Sequence, residues 1–186
     1  SALAQHAIDE DDYVDEMERK IDENCATVIA LRQPTATDLR LILVVSKSIR
    51  DLERMGDEAQ KIAKMVLQLN SDNIAPRGYV EVRHIAAGVR AMVNEALDAF
   101  ARFDAQAAIA TFAKDDQIDL DYKTALREQV SYMIEDPRTI SRAINVLWIL
   151  RALERIGDHA ANICEHVVYL VKGKDIRHGH LNDVDI

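Results

Sequence analysis

The sequence predicts an all-α protein: a tandem repeat of two three-helix bundles, with the first helix of the first bundle absent from this chain. Three observations support this fold class: the composition, the spacing of apolar residues and an internal repeat. The 186 residues include only 6 Gly and 3 Pro, and 48 % of them are hydrophobic. So few turn-forming residues favour long helices and argue against a collagen-like or glycine-rich β structure.

Apolar residues recur every three or four positions along most of the chain, which is typical of amphipathic helices. Interruptions of this pattern predict five helices. The first runs from near the start to about Leu31, and the second begins near Pro34, since proline suits a first helical turn. This second helix ends near Leu69, and the third runs from about Val82 to about Asp104.

The fourth helix is predicted from Asp104 to Glu135, where an Asp-Pro pair interrupts the pattern. A fifth helix follows and extends to Lys172. Gly173 is expected to close it, because glycine readily adopts the left-handed conformation that ends many helices.

The interruptions of the apolar pattern also divide the chain into domains. The stretch at 70–78 is rich in turn-forming residues and predicts a boundary. We therefore expect a first helical repeat at 1–70, a second repeat of three helices at 80–173 and a C-terminal tail at 174–186.

An internal repeat supports this division. Residues 50–57 (RDLERMGD) are matched by residues 151–158 (RALERIGD), and DDxxD at 11–15 is matched by DDxxD at 115–119. Landmarks in the same order at nearly constant separation indicate two copies of one unit. Because the second copy has three predicted helices and the first only two, we expect the first bundle to lack a helix upstream of Ser1.

Charge and hydropathy limit the possible partners. The formal net charge is −9, so the chain lacks the basic surface that nucleic acids and anionic lipids require. Its longest apolar runs are about five residues, far short of a membrane span, and no signal peptide opens it. Cys25 and Cys164 are far apart and predicted to be buried thiols. We expect a cytoplasmic protein that binds no nucleic acid and does not insert into a membrane.

Acidic residues form four pairs with a spacing of four, which places both carboxylates of a pair on one helix face. Like charges at this spacing repel, so a cation held between two pairs would offset the repulsion. Oxygen-only clusters suit Mg, Ca, Mn or Fe. The candidate metal ligands are Asp11 and Asp15, Glu53 and Asp57, Asp115 and Asp119, and Glu154 and Asp158.

Two helical glycines stand inside these motifs. Gly56 and Gly157 lie next to Asp57 and Asp158, although glycine in a helix costs about 1 kcal/mol relative to alanine. Their occurrence in both copies predicts that another element approaches the backbone closely there.

Each acidic pair alone is also consistent with a solvated helix face, because neighbouring arginines can neutralise it. The recurrence of the pairs in register favours a metal site. The alternative class is an enzyme, a carboxylate-bridged metal-dependent oxidase or hydrolase on a helical bundle. It would need repeated histidine ligands, but His159 and His166 correspond to Glu58 and Met65 in the first copy.

Catalytic motifs are otherwise lacking in the sequence. It contains no phosphate-binding glycine loop, nucleophile elbow or HExxH pair. We therefore assign no catalytic residue and expect no enzymatic activity. Trp148 lies opposite the apolar stripe of its helix, which favours contact with a third layer or a partner.

Four segments carry a resemblance to a known family: RQPTATDLR at 32–40, LERMGD at 52–57, LERIGD at 153–158 and NICEH at 162–166. Together they resemble the PhoU family of bacterial phosphate regulators, and the resemblance extends to about Gly173. It implies two tandem three-helix bundles whose E/D-x-x-x-D motifs hold multinuclear clusters of divalent or trivalent metal ions such as Fe, Mn, Mg or Zn. One cluster would use the four acids of the first repeat and the other the four acids of the second.

The resemblance also implies a role. Members of the family act as negative regulators of the phosphate-starvation response, through the phosphate ABC transporter (Pst) and the sensor histidine kinase PhoR. An uncovered first bundle would expose apolar residues, so we expect a homodimer or a larger homo-oligomer.

Overall fold

The computed structural model describes residues 2–70 and 79–173, and no residue in these two ranges lies in a β-strand. The predicted all-α fold class is confirmed. Residues 71–78 of the predicted boundary and the predicted tail at 174–186 lie outside the described residues. The helices are α1 (Ala2–Asp9), α2 (Asp11–Arg32), α3 (Ala36–Asn70), α4 (Tyr79–Arg102), α5 (Ala105–Phe112), α6 (Asp115–Glu135) and α7 (Ile140–Lys172), with a 3₁₀ turn at Pro137–Thr139.

The helices repeat in order, since α1, α2 and α3 correspond to α5, α6 and α7. In the second repeat α7 packs against α4, α5 and α6, so that α5 and α6 together occupy the place of one bundle helix. In the first repeat α3 packs against α1 and α2. Among the described residues, no helix takes the place in the first repeat that α4 takes in the second.

The core runs along α7, which packs against both repeats. Its side chains of Leu150, Cys164 and Val167 are fully buried, as is Met92 of α4. The longest shared interface lies between α3 and α7. This interface joins the two repeats and fixes the position of the acidic motifs that both helices carry.

Two of the predicted helix boundaries are wrong. The helix predicted to run unbroken to Leu31 is interrupted at Glu10, and the one predicted from Asp104 to Glu135 is interrupted at 113–114. At both places the next helix starts with two aspartates, which the positive end of the helix dipole stabilises. The apolar periodicity continues across both breaks, and neither contains the proline or glycine that would mark the end of a helix.

Two further helix ends, the start of α5 and the end of α7, are capped in recognisable ways. The Asp104 side chain accepts a hydrogen bond from the backbone N–H of Ala107 at 2.9 Å, which starts α5. Gly173 closes α7 at φ 68°, and its N–H donates to the carbonyl of Tyr169. The predicted glycine cap is therefore confirmed.

The thiols and the hydropathy of the helices are consistent with the sequence. Cys164 is buried and Cys25 is half-buried, and both are free thiols. None of the helices described carries an apolar stretch long enough to cross a bilayer.

Candidate metal centre

The second repeat brings three of its four predicted ligands together. Asp119 lies on α6, whereas Glu154 and Asp158 lie one turn apart on α7, against which α6 packs. One carboxylate oxygen from each of the three lies within 4.8 Å of the other two. Neither Asp119 nor Asp158 is fully buried, so a cation could reach this cluster from solvent.

Glu154 gives this cluster its strongest indication of a ligand. Glu154 is only 8 % exposed. One oxygen of its carboxylate accepts a hydrogen bond from the Arg151 guanidinium. The other oxygen, Oε2, is buried and has no hydrogen-bond partner. Leaving a buried charged oxygen unsatisfied is costly, and a bound cation would remove that cost. The residues present therefore fit a metal ion.

Asp115 stands beside this group of three without belonging to it. Burial, followed by the charges of Asp158 and Asp119, raises the pKa of Asp115 to about 6. The pKa of Glu154 is also raised, first by burial and then by the charge of Asp158. Without a cation, the cluster is thus a site of mutual repulsion that favours partial protonation.

The glycine of each motif lies where the two helices meet, as the sequence predicts. A Cβ atom built on Gly157 would lie 3.5 Å from Asp115 Oδ1 and 3.5 Å from Ile118 Cγ2. One on Gly56 would lie 3.5 Å from Asp11 Oδ1 and 3.5 Å from Val14 Cγ1. These are ordinary van der Waals distances, so an alanine would fit at either position, whereas a longer side chain would displace the aspartate.

The first repeat places its four acids less tightly. The pKa of Asp11 is raised by burial and then by Asp15 and Asp57, so these charges do act on one another. Within residues 2–70, however, no three of the acids bring an oxygen within 4.8 Å of each other. Asp11 Oδ2 instead accepts a hydrogen bond from Gln60 at 2.6 Å. The second cluster is therefore the better-formed candidate.

The raised pKa of Asp115 predicts how the metal-free protein responds to pH. A carboxyl whose pKa is raised on folding binds its proton more tightly in the folded state. It stabilises the fold below its ordinary pKa of 3.8 and loses that contribution as the pH rises through about 6. We expect the Tm of protein treated with a chelator to fall by several degrees over this range.

Asp115→Asn serves as the control for this dependence, because it removes the titrating carboxyl and keeps its shape. The Tm of the wild type relative to that of Asp115→Asn should fall as the pH rises from 4 to 6. Parallel Tm curves for the two proteins would show that Asp115 does not have the raised pKa.

A second polar cluster, which the sequence analysis missed, joins the repeats. Asp51 of α3 faces three side chains of α7: His159 Nδ1 lies 2.9 Å from its Oδ1, and His166 Nε2 lies 3.1 Å from its Oδ2. The Asn162 amide donates to Oδ1 at 3.0 Å. His159, Asn162 and His166 are spaced three and four residues apart, which is the only sequence signal that places them on one helix face.

The environment of Asp51 keeps it ionised. Burial alone would raise the pKa of its carboxyl, but the hydrogen bonds from His159, His166 and Asn162 hold that pKa well below its usual range. Asp51 corresponds to Ala152 in the second repeat, so this cluster belongs to the contact between the repeats and not to either repeat alone.

Comparison with known proteins agrees with this architecture. The family model described as the PhoU domain matches residues 1–66 and again residues 82–167. The phosphate-specific transport system accessory protein PhoU homolog of Pseudomonas aeruginosa is 59 % identical over 178 residues, which cover 96 % of this chain and 74 % of that protein. The accessory protein PhoU of Escherichia coli K12 is 42 % identical over 185 residues, covering 100 % and 76 %.

Solved structures give the same result. The crystal structure of PhoU from Pseudomonas aeruginosa superposes with a TM-score of 0.91 at 58 % identity, covering 93 % of this chain and 83 % of that one. The phosphate transport system regulatory protein PhoU from Streptococcus pneumoniae gives a TM-score of 0.85 at 34 % identity, covering 94 % and 81 %. With its helical repeat matched twice by the family model, the chain belongs to the PhoU family.

Proposed function

We propose that this chain is a metal-binding regulatory protein of phosphate transport, whose second acidic cluster holds the metal. The observation that carries the metal assignment is the buried, unpartnered oxygen of Glu154 beside Asp119 and Asp158. These three carboxylates would be the ligands, with Asp115 at the edge. A bound ion would supply the positive charge that relieves their repulsion and tie α6 to α7.

The regulatory part of the proposal rests on the relatives. Those from Pseudomonas aeruginosa and Escherichia coli are named as accessory proteins of the phosphate-specific transport system, and the relative from Streptococcus pneumoniae is named as a regulatory protein. By this likeness, the chain acts in the cytoplasm as a negative regulator of the phosphate-starvation response. Its partners would be the phosphate ABC transporter Pst and the sensor histidine kinase PhoR.

A regulator accounts for the site better than a metal-dependent oxidase or hydrolase. The group of three is made of carboxylates alone, whereas the two histidines of α7 nearest to it contact Asp51 instead. One ring nitrogen of each histidine is thus engaged in the contact between the repeats. Assays for oxidation and for phosphate-ester hydrolysis with Mn²⁺ or Fe²⁺ present should show no turnover that depends on Glu154.

The regulatory role is tested in cells. Deleting the gene should switch phosphate-starvation genes on when phosphate is plentiful, and the wild-type gene should restore repression. Glu154→Gln with Asp158→Asn should restore only part of it, since the metal would hold the surface that the partner contacts.

Folding must be followed in the same experiment, because loss of fold would mimic loss of signalling. Abundance of the double variant should therefore match the wild type, and its Tm should match that of the wild type without metal. Full repression by a well-folded double variant would limit these two residues to a structural role. Unchanged expression of the starvation genes after deletion would contradict the regulatory role itself.

We also expect the chain to self-associate as a homodimer or a larger homo-oligomer. Leu3 of α1 and Leu31 of α2 are 83 % and 76 % exposed, and Val28 and Ile29 are also exposed. Exposed apolar side chains of this size favour burial against a second copy of the chain. Light scattering should give a mass above that of one chain, and Leu3→Gln with Leu31→Gln should reduce it. A monomer at high concentration would contradict this expectation.

A further inference from the structure

A groove of about 550 Å³ lies between α3 and α7, and none of the three candidate metal ligands lines it, although Arg151 of its lining donates to Glu154. Met65 of α3 and Trp148 and Ala152 of α7 give it apolar walls. Trp148 is 61 % exposed and is the only tryptophan of the chain. A large aromatic side chain exposed in a concave site is the kind of anchor that dominates binding at protein interfaces.

The groove is also positively charged, in contrast to the chain as a whole. Lys61, Arg151 and Arg155 line it together with one acid, Glu58. Glu58 is buried and accepts from Lys61 at 3.0 Å and from Arg155 at 2.7 Å. Lys61 and Arg155 thus share one carboxylate and Arg151 pairs with Glu154, so the groove keeps an excess of positive charge in a protein whose net charge is −9.

The cations are held in place by these pairings. Arg155 and Lys61 converge on Glu58 from two helices, and Arg151 donates to Glu154. A lysine has three donor hydrogens and an arginine five, so each keeps further donors for an incoming acceptor. Fixed cations lose less conformational entropy on binding than free ones.

We propose that this groove docks an acidic segment of a partner protein. An apolar side chain of that segment would pack against Trp148, and its carboxylates would bind Lys61, Arg151 and Arg155. Charge complementarity carries the choice of occupant, since a groove with three cations and one acid attracts carboxylates. A nucleic acid fits less well, because the net charge of −9 repels a long polyanion. The proposal does not depend on metal binding.

Trp148 allows a direct test, because the intrinsic tryptophan fluorescence of the protein comes from this groove alone. The probe is a short fluorescein-labelled peptide of aspartate, glutamate, leucine and phenylalanine; its counterpart carries lysine at every acidic position. The acidic peptide should shift the fluorescence of Trp148 and bind in the micromolar range by anisotropy, and more weakly as salt rises. The basic counterpart, which the net charge of −9 attracts to other parts of the protein, should not shift the fluorescence of Trp148.

Two variants locate the binding. Trp148→Ala should weaken binding of the acidic peptide about tenfold or more. Lys61→Gln should weaken it about two- to fivefold and flatten the salt dependence. Tyr13→Ala on α2 and Lys64→Gln on α3 are the matched controls, since both residues lie outside the groove, and neither should change the affinity. Helix content and Tm of each variant should match the wild type.

Several results would overturn the proposal. One is an equal shift of the Trp148 fluorescence by the acidic and basic peptides, and another is no binding of the acidic peptide at millimolar concentration. Equal losses for Lys61→Gln and Lys64→Gln would place the binding elsewhere. Displacement of the peptide by millimolar inorganic phosphate would show a small-anion site instead, and displacement by a single-stranded oligonucleotide a nucleic-acid site.

Discussion

Asp119→Asn combined with Asp158→Asn is expected to abolish metal binding at the second cluster while leaving the helix content nearly unchanged. The two carboxylates come from different helices, so their loss leaves only Glu154 of the group of three. A single carboxylate with an arginine partner is a poor cation site, because hard cations need several oxygen ligands. Metal analysis and calorimetric titration with Mn²⁺ measure the loss.

Thermal unfolding separates this effect from damage to the fold. In the wild type, metal should raise the Tm, since a ligand that binds only the folded state at about 100 times its Kd adds about 2.7 kcal/mol. In the double variant this increase should disappear. The variant without metal should be at least as stable as the wild type without metal, because two repelling charges are gone.

Asp116→Asn with Asp121→Asn is the matched control. It removes the same number of charges, both of them from α6, but touches no member of the group of three. Its metal stoichiometry and metal-induced increase in Tm should match the wild type. Full metal stoichiometry in the Asp119/Asp158 variant would show that the assignment of the ligands is wrong.

The sequence predicted the fold class and the candidate ligands because both depend on local spacing. Helical periodicity is visible in any window of a few turns, and the duplication shows which acidic pairs recur. It did not predict that Asp115 would stand apart from the other three acids of the second repeat. In the second repeat α6 packs against both α4 and α7, and this packing brings Asp119 to Glu154, whereas the first repeat lacks a described counterpart of α4.

The helix breaks at Glu10 and at 113–114 escaped prediction for a different reason. Apolar residues continue in phase across both breaks, and neither contains a proline or glycine that would mark an end. The breaks depend on the energy of aspartates in a first turn and on packing against α3 or α7. The apolar periodicity of the sequence carries no information about either contribution.

The cluster around Asp51 shows the limit of reasoning from a repeat. A duplication draws attention to residues that recur, whereas contacts between two copies involve residues that need not recur. Asp51 has Ala152 as its counterpart, and His166 has Met65. The three-dimensional contact between α3 and α7 is what brings these residues together, so it could only be seen once the structure was known.

Asp51→Ala is expected to lower the free energy of unfolding by about 2 to 4 kcal/mol, the second large effect that the structure predicts. The carboxylate lies between α3 and α7 and accepts from Asn162 while contacting both histidines. Removing one partner of a buried polar cluster leaves the others unpaired in a site that solvent barely reaches. Urea denaturation followed by helical circular dichroism measures the change.

The pH dependence gives this prediction a distinct signature. The pKa of Asp51 is depressed on folding, so its contribution is complete above its ordinary pKa of 3.8 and is lost as the pH falls below that value. The stability difference between wild type and Asp51→Ala should therefore shrink in acid. The stability of the wild type relative to Asp115→Asn should instead fall as the pH rises from 4 to 6.

Asp98→Ala is the control for Asp51→Ala. Its carboxylate is exposed and pairs only with the exposed Arg102 one turn away, so its loss should cost less than about 0.5 kcal/mol. A double-mutant cycle of Asp51→Ala with His166→Ala then isolates the contact across α3 and α7. We expect the two losses to be clearly less than additive, because either change alone breaks the same contact. Additive losses would mean that Asp51 and His166 stabilise the protein independently, and that this cluster does not join the repeats.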